Sequence, residues 1–264
     1  MSFQPVVPFT GYAGLRFLKR TLDTQKAAYA ESQPIKTAAN YFRDKIGAVK
    51  TVDDLMGDRR LLNVALTAFG LEGDINNKAF IRKVLADGYV ADTALANRLA
   101  DKRYLAMSTA FGFGVAGPPR TGLAKFPDEI LTRYRDRSFA AAVGEQDNNM
   151  RLALNVGSAV DEVVTGTTGN DGRWFAMMGN APLRTVFESA LGFSSAIGRI
   201  DVDLQLTQFK DRARATFGTD TFADFADPKV QEKIERLYII RAQAAAGAAT
   251  SSGSIALQLL RNSA

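Results

Sequence analysis

The side chains available for chemistry in this 264-residue sequence are mainly carboxylates, lysines and serines, because histidine and cysteine are both absent. Serine and cysteine triads need an imidazole to carry the proton, and nitrogen- or sulfur-ligated zinc sites need the same two residue types. The chemistries that remain are catalysis by carboxylates, a serine–lysine pair, or a hard cation held by oxygen ligands. Ordinary variation in composition also produces such absences, so they exclude mechanisms without assigning a role.

Three pairs of neighbouring acids are candidates for carboxylate chemistry: Asp53 with Asp54, Asp161 with Glu162, and Asp201 with Asp203. Proximity in sequence does not place two acids across a cleft, and we interpret them as first-turn acids or solvated helix faces. Residues 72–77 alternate oxygen-bearing side chains, but they lack the length and terminal glutamate of a calcium loop. Turns and a helix N-cap explain them better. We therefore assign no catalytic residue and no metal ligand.

A glycine pattern at residues 112–117, Gly-Phe-Gly-Val-Ala-Gly, matches the dinucleotide-binding fingerprint in form. That fingerprint works when the glycines follow a strand and open a helix whose N-terminus receives pyrophosphate. Here a predicted helix precedes the glycines, and Pro118 and Pro119 follow them. We interpret the segment as a helix stop with a linker and predict no cofactor.

The charge of the chain is moderately basic, with 33 lysines and arginines against 28 acids and a formal net charge of +5. Such a balance can attract nucleic acid or an anionic membrane. The densest basic stretch, formed by Arg133, Arg135 and Arg137, is interrupted by Asp136 and is typical of a solvated helix face. We predict no nucleic-acid partner. No run of eighteen apolar residues is present, so we also predict no membrane-spanning segment.

Apolar residues recur at spacings of three and four along the whole chain, which predicts amphipathic helices and no significant β-sheet. The fold class is therefore all-α, a multi-helix bundle. The predicted helices cover residues 15–31, 35–46, a short stretch from 52, 58–69, 77–87, 92–99, 102–111, 128–164 with Gly144 as a candidate break, 173–178, 183–191, 202–217 and 229–246.

Four of these helices end in a small residue, an aromatic or leucine, and then a glycine, at Gly70, Gly112, Gly192 and Gly218. A glycine there can adopt the left-handed conformation of a Schellman stop. The recurrence indicates two similar helical lobes with a hinge at residues 114–122. We predict a first segment and helix at 1–34, lobes at 35–120 and 121–246, and a tail at 247–264, with one single domain as the alternative. The tail either orders on a partner or extends the last helix.

Trp174, Phe175, Met177 and Met178 form an apolar group that we interpret as core, with an interface anchor as the alternative.

Several segments resemble a bacterial family known as domain of unknown function 1217. They are residues 41–47, 52–55, 58–62, 65–71, 80–85, 99–101, 110–113 and 238–241, so that the resemblance runs from about residue 35 to 245. The resemblance implies an all-helical protein with no defined catalytic residues, whose genes tend to lie among flagellar genes. It carries no ligand or site residue over to this chain.

These observations together favour a non-enzymatic structural or accessory protein that binds other proteins or itself, and the resemblance implies a place in the flagellum. Residues 1–8 lack the features of a cleaved secretory signal, so we expect either the cytoplasm or export without cleavage as part of the flagellar apparatus. The alternative function is an enzyme that uses carboxylates or a hard cation between two lobes. The candidate docking residues are Phe3, Val6, Val7, Leu257, Leu259 and Leu260, which on the alternative interpretation merely pack on the core.

Overall fold

A computed structural model describes the backbone of residues 3–262, and the side chains of the same residues except Ser195 and 248–262. This part of the chain forms helices and contains no strand, so the all-α prediction is confirmed. The α-helices are α1 (Gly11–Ala30), α2 (Gln33–Lys45), α3 (Val52–Gly57), α4 (Arg59–Ala68), α5 (Lys78–Ala86), α6 (Leu95–Arg98), α7 (Arg103–Phe111), α8 (Phe126–Gly144), α9 (Asn148–Leu154), α10 (Val156–Gly166), α11 (Asn170–Gly179), α12 (Ala181–Leu191), α13 (Val202–Phe217) and α14 (Pro228–Asn262).

The predicted helix at 128–164 is divided into α8, α9 and α10. Gly144 is the last residue of α8, as its candidacy as a break anticipated. Asp147 then starts α9, because its carboxylate accepts hydrogen bonds from the backbone N–H groups of Asn149 and Met150, which replace bonds that the first turn of a helix lacks. At the other end of the chain α14 continues to Asn262, so the tail extends the last helix.

The glycine stops are confirmed. Gly70, Gly112, Gly192 and Gly218 all have φ between +67° and +86°. After Gly70 the N–H of Leu71 donates to the carbonyl of Leu66 at 2.9 Å, which is the hydrogen bond of a Schellman motif. These glycines end α4, α7, α12 and α13, and each lets the chain change direction within one residue.

The hydrophobic core is divided into three clusters. The first cluster contains residues between Ile35 and Tyr134, from α2 to the first half of α8. The second cluster combines Leu15 of α1 with residues from Leu152 to Ile239. Four buried side chains form a bridging cluster between them: Leu18, Phe139, Val143 and Met150.

The change from one cluster to the next falls within α8, between Tyr134 and Phe139. The parts of the molecule that contain the first and the second cluster are here called its two halves, and this long helix is shared by both. The lobe boundary at residue 120 stays a prediction. The change from the first cluster to the bridging cluster falls 14 to 19 residues after it. No helix in the described residues carries an apolar stretch long enough to cross a membrane.

Trp174 is fully buried in the second cluster, which confirms the core interpretation. Its ring packs edge-on against Phe187, Phe222 and Phe225 at centroid distances of 5.2–5.9 Å. Its indole N–H donates to the backbone carbonyl of Asp220 at 2.9 Å, so the polar atom of the ring is satisfied. Phe175, one residue along α11, is partly exposed.

Candidate functional site

Two of the predicted docking residues near the start of the chain, Phe3 and Val7, pack against other residues of the same chain. Phe3 packs edge-on against Tyr29 with ring centroids 6.3 Å apart, and Val7 packs on the bridging cluster. The backbone of Val6 is held by Gln25, whose amide accepts from its N–H at 2.7 Å and donates to its carbonyl at 3.2 Å. Only the Val6 side chain faces outward, 52% exposed.

The other predicted docking residues, Leu257, Leu259 and Leu260, lie outside the residues whose side chains the structure describes. What precedes them on α14 is described. Ile234, Tyr238 and Ile239 are buried, whereas the side chains from Gln243 to the last described one are exposed. The described side chains of α14 therefore leave the core after Ala242. The 20 residues from there to Asn262 give it a further length of about 30 Å.

An aromatic surface that the sequence did not single out lies on α1, which packs against α14. Phe9 is 57% exposed and contacts Phe17 of α1 edge-on, with centroids 6.1 Å apart. The two rings line a shallow depression, here called the Phe9 patch, with five further residues: Ala13, Arg16, Lys19, Arg20 and Glu232. Residues 13, 16, 17 and 20 share one face of α1, because they are spaced by three and four.

The charges around the Phe9 patch are mostly basic. Lys19 is paired with Glu235 of α14, but Arg16 and Arg20 form no ion pair with any described residue. The guanidinium of Arg20 lies 5.8 Å from the centre of the Phe17 ring, within the range of a cation–π contact. Exposed aromatic rings flanked by arginine have the composition of protein-binding hot spots.

The position of Phe9 is fixed by a close backbone approach. A Cβ atom on Gly14 would lie 1.9 Å from the carbonyl oxygen of Phe9, which is far inside van der Waals contact. Only glycine at position 14 therefore lets the Phe9 carbonyl approach α1 this closely. The helix is attached to α14 by the Lys19–Glu235 pair, and burial raises the pKa of the Glu235 carboxyl above its ordinary value.

A second candidate site is a groove of about 580 Å³ between the first and second clusters. It is lined on one side by α7 and α8 and on the other by α10 and α11. Gly179, the last residue of α11, touches the opposite half so closely that a Cβ there would lie 2.3 Å from the carbonyl oxygen of Ala100. The two halves are therefore in direct backbone contact beside the groove.

Two carboxylates in or beside this groove, Glu162 and Asp101, are held by arginines. Glu162 of α10 accepts hydrogen bonds from Arg133 and Arg137 of α8 at 3.0–3.2 Å. Asp101 binds Arg103 through both of its oxygens. A carboxylate held in this way is a poor general base and a poor cation ligand, because its lone pairs and its charge are already used.

Asp54 and Asp201, two of the acids that the sequence analysis considered for chemistry, have structural partners. Asp54 accepts from the backbone N–H of Thr51 in a capping box. The hydrogen bond from the backbone N–H of Lys50, followed by those with Thr51, holds the pKa of the Asp54 carboxyl below its ordinary value. Asp201 caps α13 by accepting from Asp203. These are the first-turn roles that the sequence predicted.

The calcium-like segment is held by side-chain hydrogen bonds instead. Asp74 accepts from the hydroxyl of Tyr104 at 2.5 Å and from the amide of Asn77 at 2.7 Å.

Gly112 of the glycine pattern follows α7, and the next α-helix begins only at Phe126.

Comparison with known proteins places the chain in a family. A family model described as a protein of unknown function (DUF1217) matches residues 68–230. The chain belongs to this family. Protein AGR_C_984 from Agrobacterium tumefaciens, whose crystal structure is known, resembles it with a TM-score of 0.69 and 26% sequence identity. The similarity covers 90% of this chain and 97% of that one. No curated protein matches the chain.

The DUF1217 match is shorter than the span of the resemblance seen in the sequence. Segments 80–85, 99–101 and 110–113 lie within the matched residues, whereas segments 41–62 precede them and 238–241 follows them. The match includes all the helices that line the groove. It does not include α1 or the residues of the Phe9 patch.

Sequence reasoning did not identify Phe9, Phe17 or the groove. Aromatic residues at helical spacing are typical of core, so nothing marked Phe17 as exposed. The signal that existed was Gly14, since a glycine inside an otherwise regular helix pattern marks a close approach of another backbone.

Proposed function

We propose that this protein is a non-enzymatic structural or accessory component that binds another protein through the Phe9 patch and the C-terminal part of α14. The observation that supports this most is the exposure of Phe9 at a fixed position beside Phe17. Leaving a phenylalanine exposed loses the burial free energy of a large apolar side chain. A partner that covers the ring would recover that free energy on binding.

The partner's docking surface should be acidic around an apolar centre. Arg16 and Arg20 border the aromatic rings without a described ion-pair partner, whereas Glu232 is the one acid among the described residues that line the patch. Opposite charge on the partner would steer association and set its orientation. A symmetric dimer through this patch would instead bring Arg16 and Arg20 of two copies together, because a twofold interface pairs each patch with itself. We therefore favour a different protein over a second copy.

The proposal can be tested with a photo-crosslinking amino acid at position 9, in cells that express the chain at its native level. We expect an adduct with one acidic protein. The control is the same amino acid at Val90, which is 72% exposed and lies outside the patch. Equal adducts from both positions, or none from position 9, would contradict the proposal.

Charge reversal gives a second measurement on the same adduct. We expect Arg16→Glu with Arg20→Glu to abolish it, because the partner would then meet like charges. The matched control, Lys78→Glu with Lys125→Glu, changes the net charge equally at two exposed lysines that line neither site, and should leave the adduct intact. An adduct that survives the arginine reversal argues against the patch as the docking surface.

The flagellar role remains the expectation that the family resemblance implies. Removing residues 3–9, or the α14 residues after Gly247, should weaken association with the partner while the helical core stays folded. If the partner belongs to the flagellum, these deletions should reduce motility. Unchanged assembly and unchanged motility in both deletions would count against this part of the proposal.

A further inference from the structure

The groove between the two clusters has the dimensions of a small-molecule site. Its volume of about 580 Å³ lies within the range of about 300–1,000 Å³ that is usual for organic ligands. It is separate from the Phe9 patch and shares no lining residue with it.

The apolar lining of the groove is a stripe on α7. Leu105, Ala106, Thr109 and Ala110 are all half-buried and line the groove. Their spacing places them on one face of the helix. The opposite face, with Met107 and Phe111, is fully buried in the first cluster. An amphipathic helix normally covers its apolar face with another element, but this second, weaker stripe faces the groove.

Two cations in the groove have no counter-charge among the described side chains. The ammonium of Lys102, which is half-buried, donates to the backbone carbonyl of Asn97 at 2.7 Å and forms no ion pair with a described residue. Arg120, across the α7–α8 connection, lines the exposed edge of the groove and has no described side-chain partner. Burial lowers the pKa of Lys102, as expected for an ammonium that has lost water without gaining an anion. Glu129 also lines the groove, but it is exposed and belongs equally to the outer surface beside α10.

We propose that the groove binds a small amphipathic organic anion. Its carboxylate or phosphate would be bound by Lys102 and Arg120, and its apolar body would cover the α7 stripe around Ala106 and Thr109. Arginine and lysine are the usual partners of these anionic groups, and a partly desolvated site strengthens such hydrogen bonds. Arg103 and Arg133, which also line the groove, are already engaged by Asp101 and Glu162, and the Arg133–Glu162 pair joins α8 to α10 there.

The test uses 8-anilinonaphthalene-1-sulfonate, an anionic dye whose fluorescence rises in apolar surroundings. We expect the full-length protein to enhance the dye fluorescence. Octanoate and octyl phosphate should displace the dye, whereas octanol and octylamine of the same chain length should not. Comparing the two anions shows which headgroup the site prefers. Equal displacement by octanol, or no displacement by either anion, would overturn the proposal.

Variants locate the binding. Lys102→Gln with Arg120→Gln should weaken octanoate binding by about tenfold or more, since each loses a charge-assisted hydrogen bond. Lys78→Gln with Lys125→Gln is the matched control and should bind normally. Thr109→Trp fills the groove without changing its charge and should also remove binding, which keeps the test decisive if the double glutamine variant fails to fold. Retained octanoate affinity in folded Thr109→Trp would refute the site.

This inference does not depend on the proposed docking function. Arg16→Glu with Arg20→Glu should remove the protein adduct formed from position 9 and leave octanoate binding unchanged, whereas Thr109→Trp should do the reverse. Loss of octanoate binding in the double arginine variant would assign the ligand to the patch and not to the groove.

Discussion

At the scale of single residues, Glu162 joins two helices that the sequence does not visibly connect. Arg133 and Arg137, interpreted from the sequence as part of a solvated basic face, both bind this carboxylate. The side chain of Arg137 is only 15% exposed, so its charge is largely removed from water. A guanidinium in such a position depends on its counter-charge for a favourable energy.

We predict that Glu162→Gln lowers the free energy of unfolding by about 1–3 kcal/mol, because it leaves Arg137 partly buried without an anion. The neighbouring Asp161→Asn makes the same chemical change at an exposed acid with no described ion pair, and it should change stability little. Urea denaturation of both variants provides the measurement. An equal loss in both would show that the Arg133–Glu162–Arg137 contact contributes nothing specific.

The ionisation of Tyr238 makes the free energy of unfolding depend on pH in the alkaline range. Burial, with a smaller contribution from Asp147, raises the pKa of its hydroxyl from 10.0 to about 12. The folded state therefore holds this proton more tightly than the unfolded state. The resulting stabilisation is complete below pH 10 and is lost as the pH rises towards 12.

We therefore expect Tyr238→Phe to show a shallower fall of stability between pH 10 and 12 than the wild-type protein, by about 2 kcal/mol over that window. At neutral pH the variant should lose only the hydrogen bond that Tyr238 donates to Asn149 at 2.8 Å, or about 1 kcal/mol. Denaturant titrations at several pH values measure both effects. Parallel pH profiles for the two proteins would contradict the assignment.

At the scale of elements, the close packing of the first segment against α1 depends on Gly14. Gly14→Ala would place a Cβ 1.9 Å from the Phe9 carbonyl, so the segment must move. We expect this variant to expose residues 3–9 to proteolysis and to reduce partner crosslinking from position 9. Gly57→Ala, where nothing lies within 4 Å of the new Cβ, is the control and should do neither. Unchanged proteolysis in Gly14→Ala would show that the contact between the first segment and α1 tolerates a side chain.

Helices and their ends were predictable from the sequence because their signals are local. Gly70 and Gly192 end helices through the conformation of their own backbone. The Thr51 side chain caps α3 by accepting from the backbone N–H of Asp54, three residues away. The division of residues 128–164 into three helices was less visible, since the cap at Asp147 follows Gly144 by only three residues. The α-helical preference of the flanking sequence hides such a short interruption.

The groove and the patch were not predictable because their residues converge from distant parts of the chain. Lys102 and Val163 lie 61 positions apart in sequence and meet only through the packing of α7, α8 and α10. Phe9 and Glu232 are brought together by the packing of α1 on α14. Helical periodicity states which face is apolar, but it does not state which apolar face will remain uncovered.

At the scale of the whole molecule, α8 is the element through which the two halves share a core. Its first half contributes Ile130 and Tyr134 to the first cluster, and its second half contributes Phe139 and Val143 to the bridging cluster. Polar contacts also join α8 to α10 beside the groove, as in the Arg137–Glu162 pair. Cooperative unfolding of the two halves should therefore depend on the bridging cluster.

The only tryptophan in the sequence allows this dependence to be measured. Trp174 is buried in the second cluster and reports on that half, whereas far-UV circular dichroism reports on helices in both. We expect the two signals to give one coincident urea transition in the wild-type protein. Phe139→Ala should lower stability by about 3–5 kcal/mol and separate the two curves, because Phe139 is buried between the halves. Leu62→Ala, at a fully buried site within the first cluster, controls for a core cavity that leaves the bridge intact. Coincident curves in Phe139→Ala would mean that the polar contacts beside the groove suffice to couple the halves.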